Sequence, residues 1–253
     1  VKMKTEQEKE MAFIMKADRK ETLRYLGYRG QDIDSQTERL LEEVFSELER
    51  DSSPKSIYQR YRCQATEDAV ILKPLLEEIS GSSSAVLQSD GSSQWEVILK
   101  SKNLAKNLRG CEQAVLLAAT IGRAADMMIK KYSVSNLAKA AVVQAAGAAY
   151  IESYVDEIED KVREKANRQG LYLRPRFSPG YGDFSIDYQK DFFELLECRR
   201  IGITLTEGNL MMPSKSVTAV IGLTSGKQES CWKRSCSQCE KTDCEFRKEE
   251  SGE

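Results

Sequence analysis

The residues Arg174-Pro175-Arg176-Phe177-Ser178-Pro179-Gly180-Tyr181 cannot form a helix, and the fold turns on that fact. Pro175 and Pro179 fix φ at their own positions and push the residue before each toward extended geometry. The expected form is a stiff extended loop that closes in a turn at Pro179-Gly180. Such a loop holds its backbone N–H groups away from secondary structure, where a ligand can use them. Arg176 adds a planar donor fork suited to a carboxylate or phosphate. Phe177 and Tyr181 offer flat faces for a ring or a cation. The bland alternative is an ordinary Pro-rich surface connection carrying an arginine.

Upstream of the loop lies the longest helical pattern, about Ser135 to Asn167. Its first half is crowded with alanines and Gly147, which let a helix lie close against a sheet or another helix. Its second half is charged and reads as solvated. Glu152 stands where the halves meet and is a candidate to face a site, although acidic residues at such borders are mostly plain surface. Before this come a helix from about Arg123 to Tyr132 and the apolar run Ala114 to Ile121, bounded by Gly110 and Gly122. That run suits a buried central strand.

Further out, Asp18 to Glu21 resembles a capping box that opens a short helix stopping at Gly27, and Ser35 with Glu38 resembles another. The second helix runs to about Arg50, with Leu40, Leu41, Val44, Phe45 and Leu48 on one face. Ile57 to Gln64 alternates as a strand, with Ile57, Tyr61 and Cys63 on one side. Asp90-Gly91 is a hairpin signal, Trp95 to Leu99 the returning strand, and Ser101 the cap of a helix through Leu108.

Downstream of the loop, Asp187 is expected to cap a helix through about Arg199, burying Phe192, Phe193, Leu195 and Leu196. Ile201 to Leu205 and Ser216 to Leu223 read as strands. Between them, Thr206 to Pro213 reads as a long hairpin loop with exposed methionines. This order predicts an α+β fold, with a mixed or antiparallel sheet packed with several helices.

The 253 residues suffice for a large core, and the formal net charge of −2 gives no basic field for nucleic acid. No run approaches a membrane span, and the charged start does not read as a signal peptide. A cytoplasmic protein is expected. The chain contains no histidine. That excludes Ser-His-Asp and Cys-His nucleophile systems and removes the commonest general base and metal ligand. Cys63, Cys111 and Cys198 read as small buried hydrophobes.

Taken together, Arg176-x-x-x-Gly180-Tyr181, Thr206-Glu207 with Pro213, and Ser216-Val217 resemble the activation domain of cobalamin-dependent methionine synthase. The order and spacing fit from about Gly147 to Gly222, and segments such as Leu23 to Gln31 resemble a free-standing form of that domain. The resemblance implies a site for S-adenosylmethionine (AdoMet). It places Arg176 on the AdoMet carboxylate, the backbone around Ser178 at the adenine or amino-acid end, and Gly180 and Tyr181 in the pocket wall. It also implies that Glu152 holds the ammonium and gives Glu207 a place in the Thr-Glu motif. Beyond the Ser-Val strand the family continues into an adenine-side tyrosine and a final helix, whereas this chain runs through Ser225-Gly226 into cysteines.

Those cysteines, Cys231, Cys236, Cys239 and Cys244, form C-x4-C-x2-C-x4-C. Four thiolates this close can surround one metal ion or cluster. An iron–sulfur cluster, a structural zinc and unligated thiols all remain open, because sulfur ligation alone does not separate the metals. The expected organisation is an arm over residues 1–17, an activation-domain-like unit over 18–226 and a Cys-rich metal-binding tail over 227–253.

The resemblance implies a reactivation subunit for a corrinoid-carrying methionine synthase, working with a low-potential electron donor. Methyl transfer from AdoMet to the cobalt of the partner's cobalamin needs no protein base, in agreement with a chain that has no histidine. The chain would then be a methyltransferase component that positions its ligand. The alternatives are a reactivator of another corrinoid methyltransferase, or a non-enzymatic metal-dependent interaction or electron-transfer module.

Overall fold

A computed structural model describes residues 18–75 and 96–226. The expected arm, the Asp90-Gly91 turn and the Cys-rich tail lie outside the described residues.

The chain begins with α1 (Arg19–Tyr25) and α2 (Ser35–Asp51), followed by β1 (Lys55–Ala65), β2 (Ala69–Pro74), β3 (Val97–Lys100) and α3 (Lys102–Asn107). Next come β4 (Gln113–Thr120), α4 (Ala124–Tyr132), α5 (Leu137–Asn167) and β5 (Tyr172–Leu173). The chain then forms α6 (Gln189–Leu196), β6 (Thr204–Leu205), β7 (Met211–Met212) and β8 (Ser216–Thr224). Six strands form one sheet in the order β3-β2-β1-β4-β8-β5, and every pairing in it is antiparallel. The α+β expectation holds.

The apolar run of β4 becomes the centre of this sheet because both of its faces are covered. Val115, Leu117 and Ala119 join a core with α2, α4 and α5, while Ala114, Leu116 and Ala118 join a second core with α3 and α6. A strand buried on two faces reads as continuously apolar rather than alternating. Ile57, Tyr61 and Cys63 share the second core, as the alternation in β1 predicts. Cys63, Cys111 and Cys198 are buried, and burial pushes the thiols of Cys63 and Cys198 up to about 12, so they behave as apolar filling.

Several local expectations are corrected. Asp34, not Ser35, caps α2, because its carboxylate accepts from the N–H groups of Gln36 and Thr37 at 2.9 Å. The helix expected to start at Asp187 begins as a 3-10 turn, Ile186–Tyr188, capped by Ser185, and α6 ends where Glu197 turns left-handed at φ 50°. Of those expected core residues, Phe192 and Leu196 are buried while Phe193 and Leu195 are half-buried. Ile201 to Leu205 shortens to β6, which pairs only with β7 in a separate hairpin. Strand β2 went unread in the sequence.

The second half of α5 is not merely solvated, since Tyr154, Val155, Ile158, Val162 and Ala166 line the first core. Its first half is close-packed as expected. A Cβ on Gly147 would lie 3.1 Å from Cε of Lys215 and 3.3 Å from Cβ of Ala125.

At Gly222 on β8 the sheet packs closely against its covering layer. A Cβ there would lie 2.6 Å from Sγ of Cys111 and 3.2 Å from carbons of Arg174 and Leu108. Overpacking of this kind costs about 1–3 kcal/mol. Thermal or urea unfolding of Gly222→Ala is expected to show that loss; a variant within about 0.5 kcal/mol of wild type would contradict the packing described.

Candidate functional site

The Arg174 to Tyr181 segment is extended, as its prolines dictate, but it is not detached from the sheet. Leu173 pairs with Leu223, and the Arg174 N–H donates to the Gly222 carbonyl at 2.8 Å. Phe177 then exchanges both backbone hydrogen bonds with Val220, at 2.9 and 2.8 Å. Pro175 and Arg176 therefore stand opposite the single residue Ile221, which is a β-bulge. Proline is tolerated at such an edge position because it has no N–H to place.

The extra residue decides where the side chains go. Leu173 lies in the first core, with α5. Strict alternation from Leu173 would send Phe177 to that same face and Arg176 to the other. With the bulge, Phe177 enters the second core, and Arg176 turns onto the face covered by α5. The expected flat ligand-facing surface of Phe177 is thereby corrected: the ring is buried against Phe184.

On the α5 face Arg176 meets three carboxylates. Its Nη2 donates to Glu152 at 2.7 Å, and its Nη1 donates to Asp156 at 2.5 Å and to Glu159 at 2.9 Å. Burial disfavours the charge, but Asp156, Glu152 and Glu159 outweigh it and hold the guanidinium more firmly protonated than usual. The structure thus joins Arg176 and Glu152, two residues singled out from sequence. Asp156 and Glu159 were missed. Their signal was present, because positions 152, 156 and 159 are spaced i, i+4, i+7 and share one helix face.

The carboxylates differ in freedom. Glu159 has a side chain only 12% exposed and also accepts from Arg163 Nη2 at 2.8 Å, whereas Asp156 is 65% exposed. Helix α1 packs against α5. Burial, and then the negative field of Glu152, raise the phenol of Tyr25 above its usual range, so the first helix borders the site. Sequence reading gave α1 no such role.

The turn after the bulge is fixed by its own contacts. Gly180 adopts φ +95°, a left-handed conformation that favours glycine, and its N–H donates to Phe184 O at 2.7 Å. Ser178 is half-buried, and Tyr181 is 68% exposed. Asp183 ties the turn to α3: its carboxylate accepts from Ser101 Oγ at 2.5 Å, Lys102 N at 2.7 Å and Asn103 N at 3.2 Å. Glu207 is exposed in the turn between β6 and β7 and is not among the partners of Arg176. Among the described residues there is no metal-ligating cluster and no helix long and apolar enough to cross a membrane. Cys231, Cys236, Cys239 and Cys244 lie outside the described residues.

The described residues form a six-stranded antiparallel sheet between two helical layers, a fold shared with a known reactivation domain. A solved structure described as the MetH reactivation domain bound to AdoHcy superposes with a TM-score of 0.54. The likeness covers 85% of this chain and 76% of that one, at 14% sequence identity. No protein-family model and no curated protein matches the sequence. The likeness is therefore one of fold, and it agrees with the fold implied by the sequence resemblance.

The contacts of Asp183 carry a pH prediction. Ser101 first, then the N–H groups of Asn103 and Lys102, hold its carboxyl below the usual range. A depressed folded-state pKa gives stability that is present above the unfolded value of about 3.9 and lost as pH falls through the folded value. Acid unfolding of wild type should include this loss below about pH 4, and Asp183→Asn should flatten that limb. Superimposable acid limbs would contradict the assignment.

Proposed function

We propose that this chain is a cytoplasmic AdoMet-binding reactivation subunit, supporting reductive methylation of cobalamin carried by a partner methionine synthase. The observation that carries the reading is the meeting of Arg176 and Glu152 at 2.7 Å on the α5 face of a reactivation-domain fold. An α-amino acid presents a carboxylate and an ammonium about one bond length either side of a single carbon. A guanidinium beside a carboxylate is the complementary pair.

In this reading Arg176 holds the ligand carboxylate and Glu152 the ammonium. Backbone groups around Ser178 meet the ligand, and Gly180 permits the turn that brings Tyr181 to the pocket wall. Glu207 belongs to the rim. Bound AdoMet supplies a sulfonium methyl for the partner's cobalt once a low-potential donor has delivered one electron. The chain contributes orientation rather than proton transfer. Cys231, Cys236, Cys239 and Cys244 are proposed to hold an iron–sulfur cluster or a zinc ion. A cluster would serve the electron step; zinc would stabilise the tail.

Isothermal calorimetry is expected to show AdoMet binding to wild type and a loss of about ten- to a hundredfold in Arg176→Ala, the equivalent of one charged hydrogen-bonded contact. Absence of binding to wild type would contradict the reading. For the tail, metal analysis and visible absorption of anaerobically purified protein are expected to show bound iron with a charge-transfer band, or bound zinc without one, reduced in Cys236→Ser. Protein free of both metals would exclude that part of the proposal.

A further inference from the structure

The cluster around Arg176 contains more negative charge than one arginine needs. Glu152, Asp156 and Glu159 all contact a single guanidinium, so the four side chains sum to a net charge of −2. Both terminal nitrogens of Arg176 are occupied by protein carboxylates. Asp156 and Glu159 use both hydrogens of Nη1, so a ligand carboxylate can take the end-on Nη1–Nη2 fork only by exchange with one of them.

The geometry marks which one leaves. Nη1 is shared between Asp156 and Glu159, so loss of Asp156 leaves that nitrogen still paired. Glu152 has Nη2 to itself, and Glu159 is largely buried and held by Arg163 as well. Asp156 is the most exposed of the three and regains water at least cost. Its release leaves a free carboxylate one helical turn from Glu152.

Charge counting then selects the incoming group. A carboxylate entering alone would raise the local charge from −2 to −3, with like charges a few ångströms apart. A zwitterionic amino-acid end leaves the sum at −2, because its ammonium arrives beside the carboxylate just displaced. An amine without a carboxylate offers nothing to replace Asp156 on the guanidinium.

We propose that Asp156 is a specificity-determining residue: it closes the end-on fork of Arg176 in the free protein and, once displaced, joins Glu152 in accepting the ligand ammonium, so that the site admits an α-amino acid headgroup and rejects its deaminated counterpart. The inference rests on the AdoMet reading above and adds the residue that enforces the headgroup.

The test is calorimetry on the full chain with two probes, AdoMet and the analogue carrying a hydroxyl in place of the α-amine, against wild type, Asp156→Asn and Asp156→Glu. Wild type is expected to prefer AdoMet by at least tenfold. Asp156→Asn is expected to bind the hydroxyl analogue more tightly than wild type does and to shrink the preference at least threefold; Asp156→Glu is expected to restore it. Because Asp156 is exposed, the variants should unfold at the wild-type temperature, which thermal scans check. Equal affinity of wild type for the two probes, or an equal shift of both in Asp156→Asn, would overturn the role of Asp156 while leaving AdoMet binding intact. Failure of wild type to bind either probe would overturn both readings together.

Discussion

One extra residue in an edge strand organises the site. The pairing of Leu173 with Leu223 and of Phe177 with Val220 leaves Pro175 and Arg176 opposite Ile221. Side chains alternate along a strand, so this single insertion exchanges the two faces. An aromatic ring goes into one core, and a guanidinium goes to the helix over the other. Without the offset, Arg176 would point toward the layer that holds Phe184 and Phe192, and Glu152 and Asp156 on α5 would lose this cation, while Glu159 would keep only Arg163.

The rest of the fold secures that arrangement. Strand β8 is held in register by β4 from Ser216 to Leu223, and β4 is buried on both faces. The segment after Arg176 is tied down at α3 through Asp183 and at β8 through Phe177. Helix α5 is pinned at its other end by Lys139, which donates to Glu43 and Glu47 at 2.9 and 2.8 Å. Fixing both partners is what gives a short contact between a strand edge and a helix a defined geometry. A preorganised donor fork loses little freedom when a ligand replaces one of its internal partners.

The fold class, the central strand, the long helix and the buried cysteines could be read from sequence because each depends on local pattern. Ala114 to Ala119 is apolar without a break, and Ile57, Tyr61 and Cys63 keep one parity. The bulge could not be read, since it is a relation between Arg174 to Phe177 and a strand more than forty residues later. For the same reason Phe177 was assigned to the ligand rather than to the core. Arg176 and Gly180 stand out by motif and turn chemistry and Glu152 by its place between the two halves of the long helix, and the structure brings Arg176 and Glu152 into contact. Asp156 and Glu159 repeat on the face of Glu152 and were passed over as solvated charge. Short elements fared worst: the cap of α2 lies one residue before the expected serine, and β6 is a remnant of the strand expected there, because two-residue strands carry almost no periodicity.

The account stands on Arg176 being the point where a methyl donor's amino-acid end is held. A crystal structure of the chain soaked with AdoMet tests this most directly. The ligand carboxylate should lie within hydrogen-bonding distance of the Arg176 guanidinium, with Asp156 moved off Nη1. A bound ligand whose carboxylate lies elsewhere, with the Arg176 cluster unchanged, would contradict it.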